Sequence, residues 1–172
     1  MITLHVLGTP APKGSSRPML NRKTGKPFTF KGGSPQNAEK LTTWDNNVRA
    51  AAASVCGGLA APPFVETALS VAITFRLARP GGHWGKGKQA GKLKLSAPTH
   101  PRGKPDIDKL ARSTLDSLTG IVFDDDSRIV QLAITKVYAT PGSEGATIAI
   151  AAVVAVAGAA GPEQATGSEP LR

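Results

Sequence analysis

The sequence predicts a small α+β domain in which two helices cover a small mixed or antiparallel sheet. Three observations lead there. Two segments, 36–55 and 109–119, repeat apolar residues at three- and four-residue steps. Four others, 2–7, 64–77, 129–138 and 147–156, alternate or run apolar between turn residues. The chain has 172 residues and no internal repeat, which suits one modest core.

The first strand, Ile2–Leu7, alternates apolar and polar side chains. Pro10, Pro12, Gly14 and Pro18 then argue against regular structure, in a loop that carries Lys13 and Arg17. Thr24-Gly25-Lys26 suits a hairpin turn leading into Pro27–Phe30. So cationic a stretch is either solvated surface or a phosphate contact. Across 36–55 the stripe Leu41, Trp44, Val48, Ala51 and Ala52 makes an amphipathic helix ended by Gly57-Gly58, with Trp44 a core residue rather than a stacking platform. The 64–77 strand alternates in its second half and predicts a sheet with one covered face. Residues 79–104 hold six glycines and seven Lys or Arg, which reads as a mobile basic loop. Its Trp84 either stacks on an exposed base or covers apolar surface. Leu110, Ala111, Leu115 and Leu118 line the second helix, 109–119, with Asp106 or Asp108 as its cap and Gly120 as its stop. Two strands follow around the Pro141-Gly142-Ser143 turn. The domain then spans 1–157, and 158–172 is a disordered tail.

Composition narrows the function. The single cysteine, Cys56, excludes an intramolecular disulfide and suits a reducing compartment, where it serves as a small apolar residue. No apolar run reaches membrane-spanning length, and the N-terminus lacks a signal-peptide pattern, so a soluble cytoplasmic protein with no membrane partner is expected. The net charge is +9, and its distribution says more than its sum. Residues 1–105 carry 16 Lys or Arg against three acids, whereas 106–126 hold six of the chain's 12 acids. A basic body around a compact acidic cluster suits a polyanion bound over metal ions. No serine-hydrolase elbow or phosphate-binding glycine loop occurs, and His5, His83 and His100 lack zinc-site spacing.

Asp106 and Asp108 stand two apart after Pro105. An extended backbone would point both to one side, with Ile107 turned into the core. Two carboxylates so placed repel, and a hard divalent ion would relieve them. Alone, such a pair is as well explained by helix capping. The run Asp124-Asp125-Asp126 adds weight, although three adjacent aspartates also make an ordinary acidic turn. The expectation is that the chain doubles back through Gly120–Phe123 and brings this run to the first pair.

At Pro105-Asp106-Ile107-Asp108-Lys109-Leu110 and Asp125-Asp126-Ser127-Arg128-Ile129-Val130 the sequence resembles the RusA family of Holliday junction resolvases. The family pattern is D-[IL]-D-N-L-x-K, then D-A-L, then D-D-[AS]-Q-[VI]; Asp116-Ser117-Leu118 takes the middle place. The resemblance covers roughly residues 2 to 139. It implies catalytic acids at Asp106, Asp108 and Asp126, with Asp125 a fourth metal ligand or a support. It further implies a homodimer that binds four-way DNA junctions and makes paired nicks with magnesium, manganese being an alternative ion. Lys109 replaces the family Asn, and Arg112 replaces its essential Lys. Arg112 keeps the charge and is a candidate catalytic residue, but it cannot give up a proton as a lysine can; its plainer reading is an i,i+4 pair with Asp116. Lys13, Arg17, Lys104, Lys109 and Arg112 are the candidate DNA contacts.

Two rivals remain. One is a non-catalytic nucleic-acid binder whose acids only cap and solubilise. The other is a magnesium-dependent enzyme acting on small phosphates, which would not need the cationic loops.

Overall fold

The computed structural model describes residues 1–14, 16–21, 23–31, 35–57 and 61–153; the tail assigned to 158–172 lies outside them. Among the described residues six strands and two α-helices follow one another as β1 (Ile2–Leu7), β2 (Ser16–Leu20), β3 (Pro27–Lys31), α1 (Pro35–Cys56), β4 (Leu69–Leu77), α2 (Ile107–Leu118), β5 (Ile129–Tyr138) and β6 (Gly145–Ala152). The main sheet has the order β1-β6-β4-β5, and β2-β3 form a separate ribbon. β6 runs antiparallel to both β1 and β4, and β5 is parallel to β4. This is the mixed sheet with two helices that the sequence predicts.

One face of the sheet is covered. On β4 the alternating residues Leu69, Val71, Ile73, Phe75 and Leu77 are buried, joined by Leu4 and Val6 on β1 and by Ile148 and Ile150 on β6. Trp44, Val48 and Ala52 of α1 and Leu110, Leu115 and Leu118 of α2 complete the core. Trp44 is fully buried, so its stripe is a packing stripe. At Gly145 (φ 151°) on β6, an added Cβ would lie 1.9 Å from the Val6 carbonyl oxygen of β1. Only glycine fits that crossing.

Several boundaries differ from the reading of the sequence. Pro18 lies inside β2, opposite Thr29; the ribbon has only two strands, so a residue without an N–H can be spared a partner. The expected strand over 64–77 begins at Leu69, because Glu66 adopts a left-handed φ of 50°. Phe64 instead bridges Phe123. The segment expected to be a mobile basic loop contains definite local structure. Residues 81–83 and 87–89 form 3-10 turns, and Trp84 pairs with Leu93. Among the described residues no helix is long and apolar enough to cross a membrane.

Candidate active site

Helix α2 carries the first acid pair, and its seat is specified by buried polar groups as well as apolar ones. Ser113, Thr114 and Ser117 are all buried. Thr114 Oγ1 donates to the Leu110 carbonyl at 2.9 Å and accepts the Trp44 indole N–H at 3.1 Å. Ser113 Oγ reaches the Ala11 carbonyl at 2.7 Å, tying the loop after β1 to the helix. Each hydroxyl has a partner, so the helix is held in one rotation about its axis. That rotation leaves Asp108 and Arg112 exposed and Asp116 half-buried.

Asp106 is the N-cap residue, with φ −69° and ψ 138°, and its carbonyl accepts the Leu110 N–H at 3.1 Å. Its carboxylate makes no capping hydrogen bond. Asp106 therefore occupies a cap position without using its side chain as a cap, which leaves an exposed anion uncommitted. Asp108 differs from expectation. It stands in the first helical turn rather than on extended backbone, and Ile107 between the two acids is only half-buried. The turn begins at Ile107 because helical bonding extends back to the Asp106 carbonyl. Among the described residues the Asp108 carboxylate has one ion-pair partner, Lys109 Nζ at 3.4 Å.

At the other end of α2 the chain turns through Gly120–Phe123, with Val122 and Phe123 fully buried. The Gly120 N–H bonds the Phe123 carbonyl at 2.8 Å, and the Asp124 N–H bonds the Phe64 carbonyl at 3.3 Å. The three aspartates that follow have separate roles. Asp124 pairs with Arg128, and that hydrogen-bonded guanidinium holds its carboxyl below the usual carboxylate range; in return it holds Arg128 above its ordinary value. Asp125 caps the 3-10 turn Asp126–Arg128, accepting the Ser127 N–H at 2.8 Å. Hydrogen bonds from Ser127 depress its pKa as well. Asp126, exposed on the first residue of that turn, makes no side-chain hydrogen bond or ion pair among the described residues.

The doubling back expected from the sequence does not bring the two acid groups together in one chain. The 12 residues of α2 separate them. The C-terminal group leads directly into β5, whose Lys136, seven residues along from Ile129, is what touches the residues before Asp106. Seven strand residues span about 23 Å. Among the described residues no three His, Cys, Asp or Glu side chains form a group able to hold a metal ion. Asp106, Asp108 and Asp126 offer the exposed hard oxygens that a divalent ion prefers, but a single chain does not assemble them.

The candidate DNA contacts also divide. Lys104 and Arg112 are exposed. Asp116 is paired with Lys13, not with Arg112, so Lys13 is an internal tie; its backbone N–H also bonds the Lys109 carbonyl at 3.1 Å. Lys109 is half-buried beside Asp108. Arg17 lies in β2, and its side chain lies outside the described residues. A shallow cavity of about 370 Å³ opens between α1 and α2, around Lys13, Asp45, Arg49 and Asp116. Arg49 pairs with Asp45 there, so the four charges are matched in pairs and leave no net charge for a phosphate.

Two residues were missed by the sequence reading. Lys136 on β5 donates to the Gly103 and Pro105 carbonyls at 3.0 and 2.9 Å. Tyr138, two residues on, lies under the Arg79 guanidinium at 4.0 Å and meets the His83 ring edge-on at 5.6 Å. The only hint in the sequence was a charged residue interrupting a strand that is otherwise apolar or neutral.

A mixed sheet carrying an acid-tipped helix, bordered by an acid-free cationic segment, suits an enzyme that acts on nucleic acids. A family model described as endodeoxyribonuclease RusA matches residues 10–151. The chain belongs to the RusA family of endodeoxyribonucleases. Among curated proteins, none matches it.

Proposed function

We propose that this endodeoxyribonuclease cuts four-way DNA junctions by paired, magnesium-dependent nicks, working as a homodimer whose two metal sites are each completed across the two-fold axis. The observation that carries this reading is the separation of uncommitted acids to opposite ends of α2. A two-fold axis relates residue i of one copy to residue j of the other, and the converse. Two α2 helices brought together antiparallel would set Asp106 and Asp108 of one copy beside Asp126 of its partner, twice. The free edge of β5, where Val130 is 60% and Leu132 45% exposed, offers apolar surface for such a contact next to Asp126.

In this reading Asp106, Asp108 and Asp126 hold the ion, and Asp125 supports Asp126 by fixing the turn it starts. Magnesium suits an all-carboxylate set that leaves room for water, and manganese serves as a substitute. When bound, the ion supplies charge neutralisation at the scissile phosphate and lowers the pKa of a water. The protein's own residues orient and neutralise. Arg112, one turn after Asp108 on the exposed side, faces the phosphate backbone. It acts as a fixed cation, since a guanidinium does not exchange protons near neutral pH. Lys104 and Lys109 flank the acid pair and add to the attraction for DNA.

Complementation tests this arrangement. Asp106→Asn and Asp126→Asn should each abolish nicking of a synthetic junction while preserving binding. In a dimer with composite sites, a mixture of the two regains single-strand nicks, because one mixed site keeps all its acids. If each variant is dead and the mixture, shown to exchange subunits, is dead too, composite sites are ruled out. A salt-insensitive hydrolysis of small phosphates with no junction cleavage would favour the small-substrate rival instead.

A further inference from the structure

Between β4 and α2 the chain makes an excursion, residues 79–105, that contains seven Lys or Arg and no Asp or Glu. Its local structure is built from backbone bonds. The Gly85 N–H reaches the Lys92 carbonyl at 2.8 Å, and the Lys94 N–H reaches the His83 carbonyl at 3.0 Å. Lys94 Nζ turns inward to the Gly82 carbonyl at 2.7 Å. Lys86, Lys88 and Lys92 are exposed and make no ion pair or side-chain hydrogen bond among the described residues. Sustained like charge in a folded segment costs self-repulsion, which a polyanion would relieve.

Both ends of the excursion are fastened to the same place. Lys136 and Tyr138 stand two apart on β5, so both point to one side of the strand. Tyr138 holds the outgoing end through Arg79 and His83, and Arg79 adds a 3.0 Å bond to the Pro98 carbonyl. Lys136 holds the returning end through Gly103 and Pro105, immediately before Asp106. A lysine ammonium spent on two main-chain carbonyls is no free DNA contact. Its effect is to fix the backbone from which Asp106 projects.

We propose that residues 79–105 form a preorganised arm that binds the DNA backbone, and that Lys136 and Tyr138 set this arm and Asp106 in one fixed relation. Lys136 is a positioning residue for Asp106, and Tyr138 is the anchor of the arm. The proposal rests on the reading of Asp106 as a metal-holding acid, and its two halves have different signatures. Arm cations act on binding and its salt dependence. A residue that orients a metal ligand acts on metal requirement and turnover, where losses of about 10- to 100-fold are usual.

The test uses the full chain and a synthetic four-way junction. Replacing Lys86, Lys88 and Lys92 together by Gln should weaken junction binding at least about tenfold near physiological salt and make the salt dependence shallower by roughly 2 to 3 in log–log slope. Tyr138→Leu should weaken binding in the same direction, while Tyr138→Phe, which keeps the ring under Arg79, should not. Lys136→Met should cut turnover about 10- to 100-fold and raise the magnesium concentration for half-maximal rate, a loss larger than any accompanying change of binding in metal-free buffer. Lys136→Arg, able to donate to both carbonyls, should recover part of the rate. Unchanged binding in the triple variant overturns the arm. A turnover loss in Lys136→Met that excess magnesium leaves untouched, or that merely follows a fall in melting temperature, overturns the positioning role. Failure of the underlying reading has a separate mark: the wild-type chain would not nick the junction at all.

Discussion

Thr114→Val tests the polar seat of α2 with almost no change of shape. Valine matches threonine in volume but lacks the hydroxyl, so the packing around a fully buried position is kept. The Trp44 indole N–H, bonded to Thr114 Oγ1 at 3.1 Å in a fully buried position, loses its acceptor. The Leu110 carbonyl also loses the hydroxyl bond but keeps its helical partner, so its share of the loss is small. A buried donor left unsatisfied costs about 1–3 kcal/mol. With the midpoint of about 2 kcal/mol, a domain of this size should melt roughly 4–8 °C lower. Urea and thermal unfolding of the two proteins measure the difference. Adding Trp44→Phe removes the stranded donor, and the double-mutant cycle should show a coupling of about 1 kcal/mol. Equal stability of Thr114→Val and wild type within about 0.5 kcal/mol would refute the reasoning, and α2 would then be held by its leucines alone.

Three further outcomes are expected. Gly145→Ala places a methyl against the Val6 carbonyl at a φ of 151° and should destabilise the protein by about 3 kcal/mol, measured by urea unfolding. Ser113→Ala leaves the Ala11 carbonyl without its 2.7 Å donor; it should cost about 1 kcal/mol and speed proteolysis of the loop after β1, followed by limited digestion. Asp124 and Asp125 both have depressed pKa values, so their stabilising contribution is complete above the ordinary carboxylate value of 3.8 and is lost as pH falls below it through their folded values. Wild-type stability should therefore decline in acid below about that pH, and Asp124→Asn should flatten the decline in a circular-dichroism pH series while leaving the region from pH 5 to 8 level.

How much of this was legible in the sequence follows from what carries the information. The stripe Leu110, Ala111, Leu115, Leu118 has helical period, and α2 forms where it lies, starting two residues early because Asp106 could already accept a helical bond. Trp44 was read as core on the same grounds. The hairpin turn around Gly25 was legible from turn chemistry, and the residue has a φ of 64°. The excursion was not legible. Its order comes from glycine turns and backbone bonds closed within 79–104, and from a cation over Tyr138 some 59 positions away; none of these has a period. The placing of the acids was misread for a different reason. Nearness along the chain does not record that α2 carries the backbone away from Asp106, nor that Asp124 and Asp125 are engaged locally by Arg128 and Ser127.

The parallel pairing of β4 with β5 has a consequence of its own. Parallel neighbours cannot be joined by a hairpin, so the chain must travel back along the sheet to begin β5 at the end where β4 began. Every candidate acid lies on that single return journey between Leu77 and Ile129, while β1, β6 and α1 contribute none. The exposed turns of this return can therefore lengthen while the strands stay in register, since doubling a flexible loop costs only about 0.6 kcal/mol. Substrate preference in such a scaffold is open to change by insertion and deletion within one stretch of gene.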